Sequence, residues 1–441
     1  MNETLPNKDF VVYQNKNTYF YTKIETMAHF RVRYATYNGR FRHCSMTESI
    51  EYENGQATSF PQNQGSLEAM LRHGKLPQAE DSFFVDIWTP ESEELKPVLF
   101  WIHGGAFVSG ASGDIHNNAE NLSRNANIVV VSVSYRLGFL GTANFDGIPQ
   151  KNCGFHDIVT ALEWTNRHIE HFGGDTRNIT VGGQSSGAWY AMAIHTSPRL
   201  QHLFHKTILF SWPGTMQAIS EETSCEISNQ FQNELKKQFH TTLDNAKLDD
   251  ILSIQRNIGK FNKKRRNFLV PFLPCIETDY ISEDFYSAIR ATQKKIFLQY
   301  TQNECGIYVY KFPIGKHTPI SIISPFLKRY CPENTYQKLK ASRKQTHDSY
   351  QTVVDVTSDI LFFEPTRKII EICKDKAVFN AFTYPAPNKK TQCCHCFDIP
   401  FLFGNIENWQ TSKIFRGCDF SSIRKESTTL QKKIAEFIFN G

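Results

Sequence analysis

The sequence predicts an α/β fold, a mostly parallel central sheet with helices on both faces, and three observations carry that expectation. Short segments rich in β-branched and aromatic residues recur along the chain, several of them almost wholly apolar, as strands covered on both faces are. Longer stretches with helical spacing of apolar residues alternate with them. Glycine-rich turns stand directly after two of the strand candidates, at 103–105 and 182–187.

Taken in chain order, the strand candidates are Phe83–Thr89, Pro97–Ile102, Ile128–Val133, Ile179–Val181, Thr207–Phe210, Ile296–Tyr300 and Val378–Tyr384. Asp157–Phe172 reads as a helix, with Ile158, Leu162, Ile169 and Phe172 on one face and Gly173-Gly174 as its stop. The C-terminal segment repeats that logic through Leu430, Ile434, Phe437 and Ile438. Stretches 214–290 and 307–375 look helical and irregular, and are expected as cap insertions over the sheet. Length alone would suggest about three average domains. With no internal repeat, low-complexity tract or linker, the expectation is one domain over 1–441, with a divergent N-terminal segment at 1–27.

A hydrophobic fraction of 40%, including 35 Phe, supplies a large core and excludes disorder of the whole chain. Apolar runs such as Ile128–Val131 fall far short of the roughly 20 residues that cross a bilayer, so no membrane insertion is expected. The opening MNETLPNKDF lacks the basic and apolar regions of a secretory signal. The net charge, 49 − 44 = +5, is small, and its one dense cluster, Lys263-Lys264-Arg265-Arg266, reads as a solvated loop rather than a nucleic-acid patch. Eleven cysteines, an odd number without scaffold spacing, point to a thiol-reduced, cytoplasmic protein.

Chemistry concentrates in two segments. Asn178–Val181 runs into Gly183-x-Ser185-x-Gly187, and a helix-compatible stretch follows: a nucleophile elbow, in which small flanking residues permit the strained turn that exposes the serine. Roughly 80 residues upstream, Trp101-Ile102-His103-Gly104-Gly105-Ala106-Phe107 leaves a strand through consecutive glycines. Acyl transfer builds negative charge on a carbonyl oxygen, which backbone N–H groups must approach closely. The amides of Gly104, Gly105 and Ser186 are the expected oxyanion hole.

From these two motifs outward the chain resembles the type-B carboxylesterase/cholinesterase family, in particular bacterial carboxylesterases similar to p-nitrobenzyl esterases. His29–Ala35 resembles its F-x-G-I-P-Y-A, Phe60-Pro61-Gln62 its C-P-Q, and Glu80-Asp81-Ser82 its E-D-C-L. Tyr135-Arg136-Leu137-Gly138 matches Y-R-L-G, and Phe172-Gly173-Gly174-Asp175 matches F-G-G-D. Leu203–Ser211 is similar to L-F-x-K-A-I-x-x-S-G, and His395–Gly404 to H-x-x-D-L-P-Y-V-F-G. The resemblance runs from about residue 28 to 440. It implies the α/β-hydrolase fold and a serine hydrolase that cleaves small-molecule carboxylic esters through an acyl-enzyme, without cofactor or metal.

The resemblance also names the base, His395, downstream of Ser185 in the order serine, acid, histidine. Cys393-Cys394-His395-Cys396 admits a metal-cluster reading as well, although adjacent cysteines point apart and no second ligand pair accompanies them. The acid departs from the pattern. The family's G-x-N-x-D-E-G corresponds to Tyr300–Gly306, and anchoring on Gly306 places Cys305 at the acid position, with the only carboxylate one residue earlier. A thiol cannot stabilise the imidazolium, so Glu304 is the expected acid. Phe107 and Trp212 are the expected substrate contacts; Trp212 stands where the family has a Gly, either narrowing the acyl side or packing in the core. Phe60 and Ser82 replace the cysteines of a disulfide found in secreted members, in keeping with a reducing compartment. Thiol reagents are expected to act near the site through Cys305, Cys394 and Cys396. The alternative function is a non-catalytic, cholinesterase-like binding protein with a degraded acid. No interface signature fixes an oligomeric state.

Overall fold

In a computed structural model, residues 11–15, 18–22, 27–71, 74–148, 150–257, 272–319, 321–324, 335–343 and 348–440 are described. The basic cluster at 263–266 lies outside the described residues. Among these, nine strands form one sheet: β1 (Met27–Thr36), β2 (Ser45–Tyr52), β3 (Phe84–Pro90), β4 (Lys96–Ile102), β5 (Val129–Val133), β6 (Gly174–Gln184), β7 (Lys206–Phe210), β8 (Lys295–Thr301) and β9 (Ala377–Phe382). Their order is β9-β8-β7-β6-β4-β5-β3-β1-β2. Pairs from β9 through β5 are parallel, and those of β3 with β5, β1 with β3 and β2 with β1 are antiparallel. A separate antiparallel ribbon joins Val11–Asn15 to Thr18–Thr22.

The sheet is mostly parallel because its central strands are apolar on both faces. Val98, Phe100 and Ile102 of β4 join Val129, Val131 and Val133 of β5 in one core, against Phe155, Ile158, Leu162 and Trp164. Leu99, Trp101 and Val130 point the other way, toward Leu122, Leu430, Ile434 and Phe437. Each such side chain contributes roughly 1.5–3 kcal/mol by leaving water. The helices that cover the two faces are α1 (Glu120–Ala126), α2 (Cys153–His168) and α3 (Ser186–Thr196), with the C-terminal helix Phe420–Asn440. Helix α2 begins four residues before the Asp157 start read from periodicity, and its C-terminal part, Ile169–Phe172, tightens into a 3₁₀ turn.

Strands β1 and β2 are absent from the strands expected from sequence. Val32 and Tyr34 of β1 are buried in the core, but its other face carries His29, Arg31 and Arg33, and Arg31 Nη2 lies 2.7 Å and His29 Nε2 2.9 Å from Asp86 Oδ1. Burial alone pushes the Asp86 carboxyl up, but Arg31 and His29 outweigh it and hold the group at about 2. The expected insertions contain α4 (Glu221–Phe239), α5 (Leu248–Asn257), α6 (Ser349–Ser358) and α7 (Glu364–Cys373). Phe231 and Ile251 of the first two pack on Phe139, and Val353 and Val354 of α6 pack with Cys305.

A buried ion pair braces the segment after β5. Arg136 donates through Nε and Nη2 to the two Asp157 oxygens at 2.8 and 2.6 Å, and the Arg136 amide adds a third bond at 3.0 Å. Neighbouring Tyr135 donates to His103 O, and Gly138 N–H to Phe107 O, so this segment props the glycine loop. Removing one partner strands the other charge in the core. Asp157→Ala is expected to lower unfolding free energy by about 3–5 kcal/mol in urea titration; a loss under about 1 kcal/mol would contradict the brace.

Candidate active site

The carboxyl ends of β4, β6, β7 and β8 lie side by side, with Ile102 paired to Gly183, Gln184 to Phe210, and Phe210 to Gln299. Such an edge is where open α/β sheets place their chemistry. Ser185 sits between β6 and α3 with φ 57° and ψ −121°, a backbone conformation that side chains rarely adopt. Two glycines make the turn possible. A Cβ on Gly183 would lie 2.4 Å from Gly187 C, and one on Gly187 would lie 2.0 Å from Ile102 O. Ser186 opens the helix beside Ser185, so its amide belongs to the uncapped first turn.

The glycine loop lies against this turn. A Cβ on Gly104 would meet Gln184 O at 2.8 Å and Ser185 Cβ at 3.2 Å. Gly105, Ala106 and Phe107 all have positive φ, at 124°, 54° and 63°. His103 locks the bend: its Nδ1 lies 2.8 Å from Gly104 O, and its ring stacks on Tyr135 at 4.4 Å. Gly104 and Ser186 thereby lie beside Ser185, with Gly105 the next residue along the loop.

His395 and Glu304 come from two loops joined main chain to main chain. Asn303 N donates to Cys393 O at 2.9 Å, and His395 N to Glu304 O at 3.0 Å. Side chains complete the link, with His395 Nδ1 2.5 Å from Glu304 Oε2. The other Glu304 oxygen accepts from Ser211 Oγ at 2.6 Å and Thr301 N at 2.7 Å. Cys305 instead turns into the cluster with Val309, Ile323 and Val353. Anchoring on Gly306 misplaces the acid because that glycine answers to another contact: a Cβ there would lie 2.3 Å from Thr391 O.

At the far nitrogen of the imidazole, Gln184 Nε2 lies 3.1 Å from His395 Nε2, and also 3.4 Å from Cys396 Sγ. Among the described residues no hydrogen bond joins Ser185 Oγ to His395. The rings of Phe362 and Tyr308 flank the imidazole at 5.1 and 5.5 Å, Phe362 presented by the π-helical turn Asp359–Phe363. Gln184, Ser211, Phe362 and Asp398 are residues that the motifs did not single out as functional. Gln184 and Asp398 each carried a positional signal, as the variable residue before the serine and the fourth residue of the histidine motif.

A cavity of about 650 Å³ opens beside Gly104, Gly105 and Gln184. Polar groups of Gln62, Asn63, Glu68 and His116 share its wall with Leu67 and Trp409, so it is less apolar than the aromatic content suggests. Phe107 and Trp212 are each 1% exposed and are not among its lining residues. Phe107 packs edge-on to Trp189 and Tyr190, and Trp212 to Tyr286. Cys305 and Cys394 are wholly buried and Cys396 nearly so. Burial pushes the Cys394 and Cys396 thiols up, with nearby thiol and carboxylate groups adding to it. That overturns the expected thiol-reagent sensitivity. Among the described residues no group of three or more His, Cys, Asp or Glu side chains is arranged to hold a metal ion, and no helix is long and apolar enough to cross a membrane.

The model of the carboxylesterase family matches residues 15–440. The chain is similar to a probable N-octanoylanthranilate hydrolase, AqdA2, of Rhodococcus erythropolis, with 29% identity over 393 residues, 86% of this chain and 81% of that protein. It is similar to the para-nitrobenzyl esterase of Bacillus subtilis, with 26% identity over 355 residues, 76% of this chain and 70% of the relative. Among solved structures a PNB esterase superposes with a TM-score of 0.80 at 22% identity, covering 98% of this chain and 91% of that one.

Two outcomes follow from the burial of this region. Iodoacetamide near neutral pH is expected to leave ester hydrolysis unchanged, because Cys305 and Cys394 are buried and Cys396, although it lines the cavity, has its thiol pushed up by burial; rapid inactivation protected by substrate would refute this. Asp398 is buried, its Oδ2 takes one bond from Gln299 at 2.7 Å, and its Oδ1 has no partner among the described residues. Burial first, and Glu304 second, push its carboxyl up to about 7. The folded state therefore holds this proton more tightly than the unfolded chain, and the stability it contributes is lost as pH rises from about 4 through 7. Asp398→Asn should match the wild type near pH 4 and exceed it by pH 8, by on the order of a few kcal/mol, as read from melting temperatures.

Proposed function

Because the chain belongs to the carboxylesterase family and is a hydrolase of carboxylic esters, we propose that Ser185, His395 and Glu304 are its nucleophile, general base and acid. The observation that carries the assignment is the 2.5 Å contact of His395 Nδ1 with Glu304 Oε2, beside a serine held at φ 57°. Glu304 accepts at Nδ1, which leaves the lone pair on Nε2, the atom that Gln184 faces, to take the Ser185 proton, and it stabilises the imidazolium that results. Ser185 Oγ attacks the ester carbonyl, whose oxygen gathers charge between the amides of Gly104, Gly105 and Ser186. His395 then gives its proton to the departing alcohol. Water, deprotonated by the same imidazole, releases the acid from the acyl-enzyme. An acid position filled by Glu304 removes the support for a non-catalytic binding protein.

The 650 Å³ cavity adjoins the proposed oxyanion loop, and we assign it to the substrate. Trp212 and Phe107 pack against Tyr286, Trp189 and Tyr190, none of which lines that cavity, so neither is assigned to the substrate. The convergence of segments from 103 to 395 on one site supports a single catalytic domain. Phe60 packs on Phe83 at 5.0 Å and Ser82 Oγ lies 2.9 Å from Thr58 Oγ1, so both positions are filled without a bridge, which supports a cytoplasmic setting.

Burst kinetics with p-nitrophenyl esters of increasing acyl length test the assignment. Wild type should release about one equivalent of nitrophenol in the burst, and Ser185→Ala none. Glu304→Gln should lower kcat on the order of 10⁴-fold, whereas Cys305→Ala should leave it near wild type. Loss of activity in the Cys305 variant alone would refute the assignment of the acid.

A further inference from the structure

On the reading of Ser185 and His395 as nucleophile and base, we propose that Gln184 is a positioning residue that holds the resting imidazole in the tautomer with its lone pair on Nε2. The orientation of its amide follows from the other side of the ring. The Glu304 carboxylate, already accepting from Ser211 and Thr301, offers Nδ1 only an acceptor, so Nδ1 carries the hydrogen. A neutral ring then has a bare Nε2, and the group 3.1 Å from it must present an N–H, as Gln184 Nε2 does.

Space confines that side chain. Gln184 ends β6, and its Oε1 occupies the room Gly104 leaves: a Cβ there would come within 2.5 Å of it. The amide nitrogen also faces Cys396 Sγ at 3.4 Å. Protonating His395 at Nε2 sets N–H against N–H, and relief requires the amide to turn, losing the sulfur contact and the fit against Gly104. The clamp thus opposes protonation at Nε2, and the amide must turn from the ring before that nitrogen takes the Ser185 proton. The remaining titratable groups around the ring are Glu304 and Tyr308 from the acid loop, Cys394, Cys396 and Asp398 from its own loop, and Glu68 on the cavity wall near Cys396. Gln184 differs from all of these in touching Nε2. It also lines the cavity, so substrate meets it on entry.

The experiment is the pH dependence of kcat/KM for p-nitrophenyl acetate in wild type, Gln184→Glu and Gln184→Met, with the burst measured in parallel at pH 9. A carboxylate accepts from a protonated Nε2, so Gln184→Glu should move the acid limb up by about one to three pH units. Gln184→Met removes the donor without adding charge and should move it up by roughly half a unit to one unit. Should the Glu variant fail to fold, as its melting curve would tell, the Met variant decides. Limbs that coincide with wild type, or move down, in variants with a full burst would overturn the proposal. Absence of a burst at pH 9 in a folded variant would also overturn it, because a positioning residue moves the limb alone. Absence of a burst in wild type would instead defeat the assignment of Ser185.

Discussion

The approach of helix α3 to the end of β4 is the contact on which the site depends. Gly187 lies so near Ile102 O that any side chain there would overlap it, and Gly183 lies equally close to Gly187 itself. A helix seated at that distance forces the chain between β6 and α3 through the strained conformation of Ser185. It also brings the first amide of the helix beside the glycine loop leaving β4. Strain of this kind costs on the order of 1–3 kcal/mol and persists only where packing over-determines it. Here Trp101, Ile102 and Val181 are wholly buried around the junction, and the apolar cores on both faces of the sheet supply that packing.

The same region holds two buried carboxylates in different surroundings. Glu304 is surrounded by hydrogen-bond partners, two donors on one oxygen and an imidazole on the other. Asp398, a few residues after the histidine, has its carboxyl pushed up by burial first and by Glu304 second, and its bond from Gln299 offsets this only in part. The two carboxylates differ in their partners: Glu304 has three, one of them the His395 ring, whereas Asp398 has a bond from Gln299 on Oδ2 and none on Oδ1 among the described residues.

Much of this was legible in the sequence, for reasons that differ by element. The central strands announced themselves because they are covered on both faces and have little choice but to be apolar. The elbow and the glycine loop were visible because their geometry forbids side chains at Gly183, Gly187 and Gly105. Strands β1 and β2 were harder, since charges paired across strands, such as Arg31 with Asp86, break the apolar pattern. The start of α2 was hidden by Gly154, a poor helix former retained because a Cβ there would lie 2.4 Å from Arg136 O. Glu304 against Cys305 could not be decided by spacing, because a loop fixes its register through contacts such as Thr391 with Gly306. Gln184 was invisible in principle: its role lies in the direction of an amide, which no pattern of residue types encodes.

The order of strands across the sheet bears on how the protein acquires its activity. Gln184 and His395 touch across 211 positions of chain, and Arg40 bonds Leu243 O across 203. Parallel pairing already requires distant segments to meet before any reward is gained, which slows folding relative to locally built proteins. The acid and histidine loops come after β8 and β9, at the opposite flank of the sheet from β1 and β2. A chain emerging N-terminus first has Ser185 in hand long before either loop exists. With Glu304 and His395 assigned as acid and base, esterase competence is therefore a late event in biogenesis, since the loops that carry them are made long after Ser185.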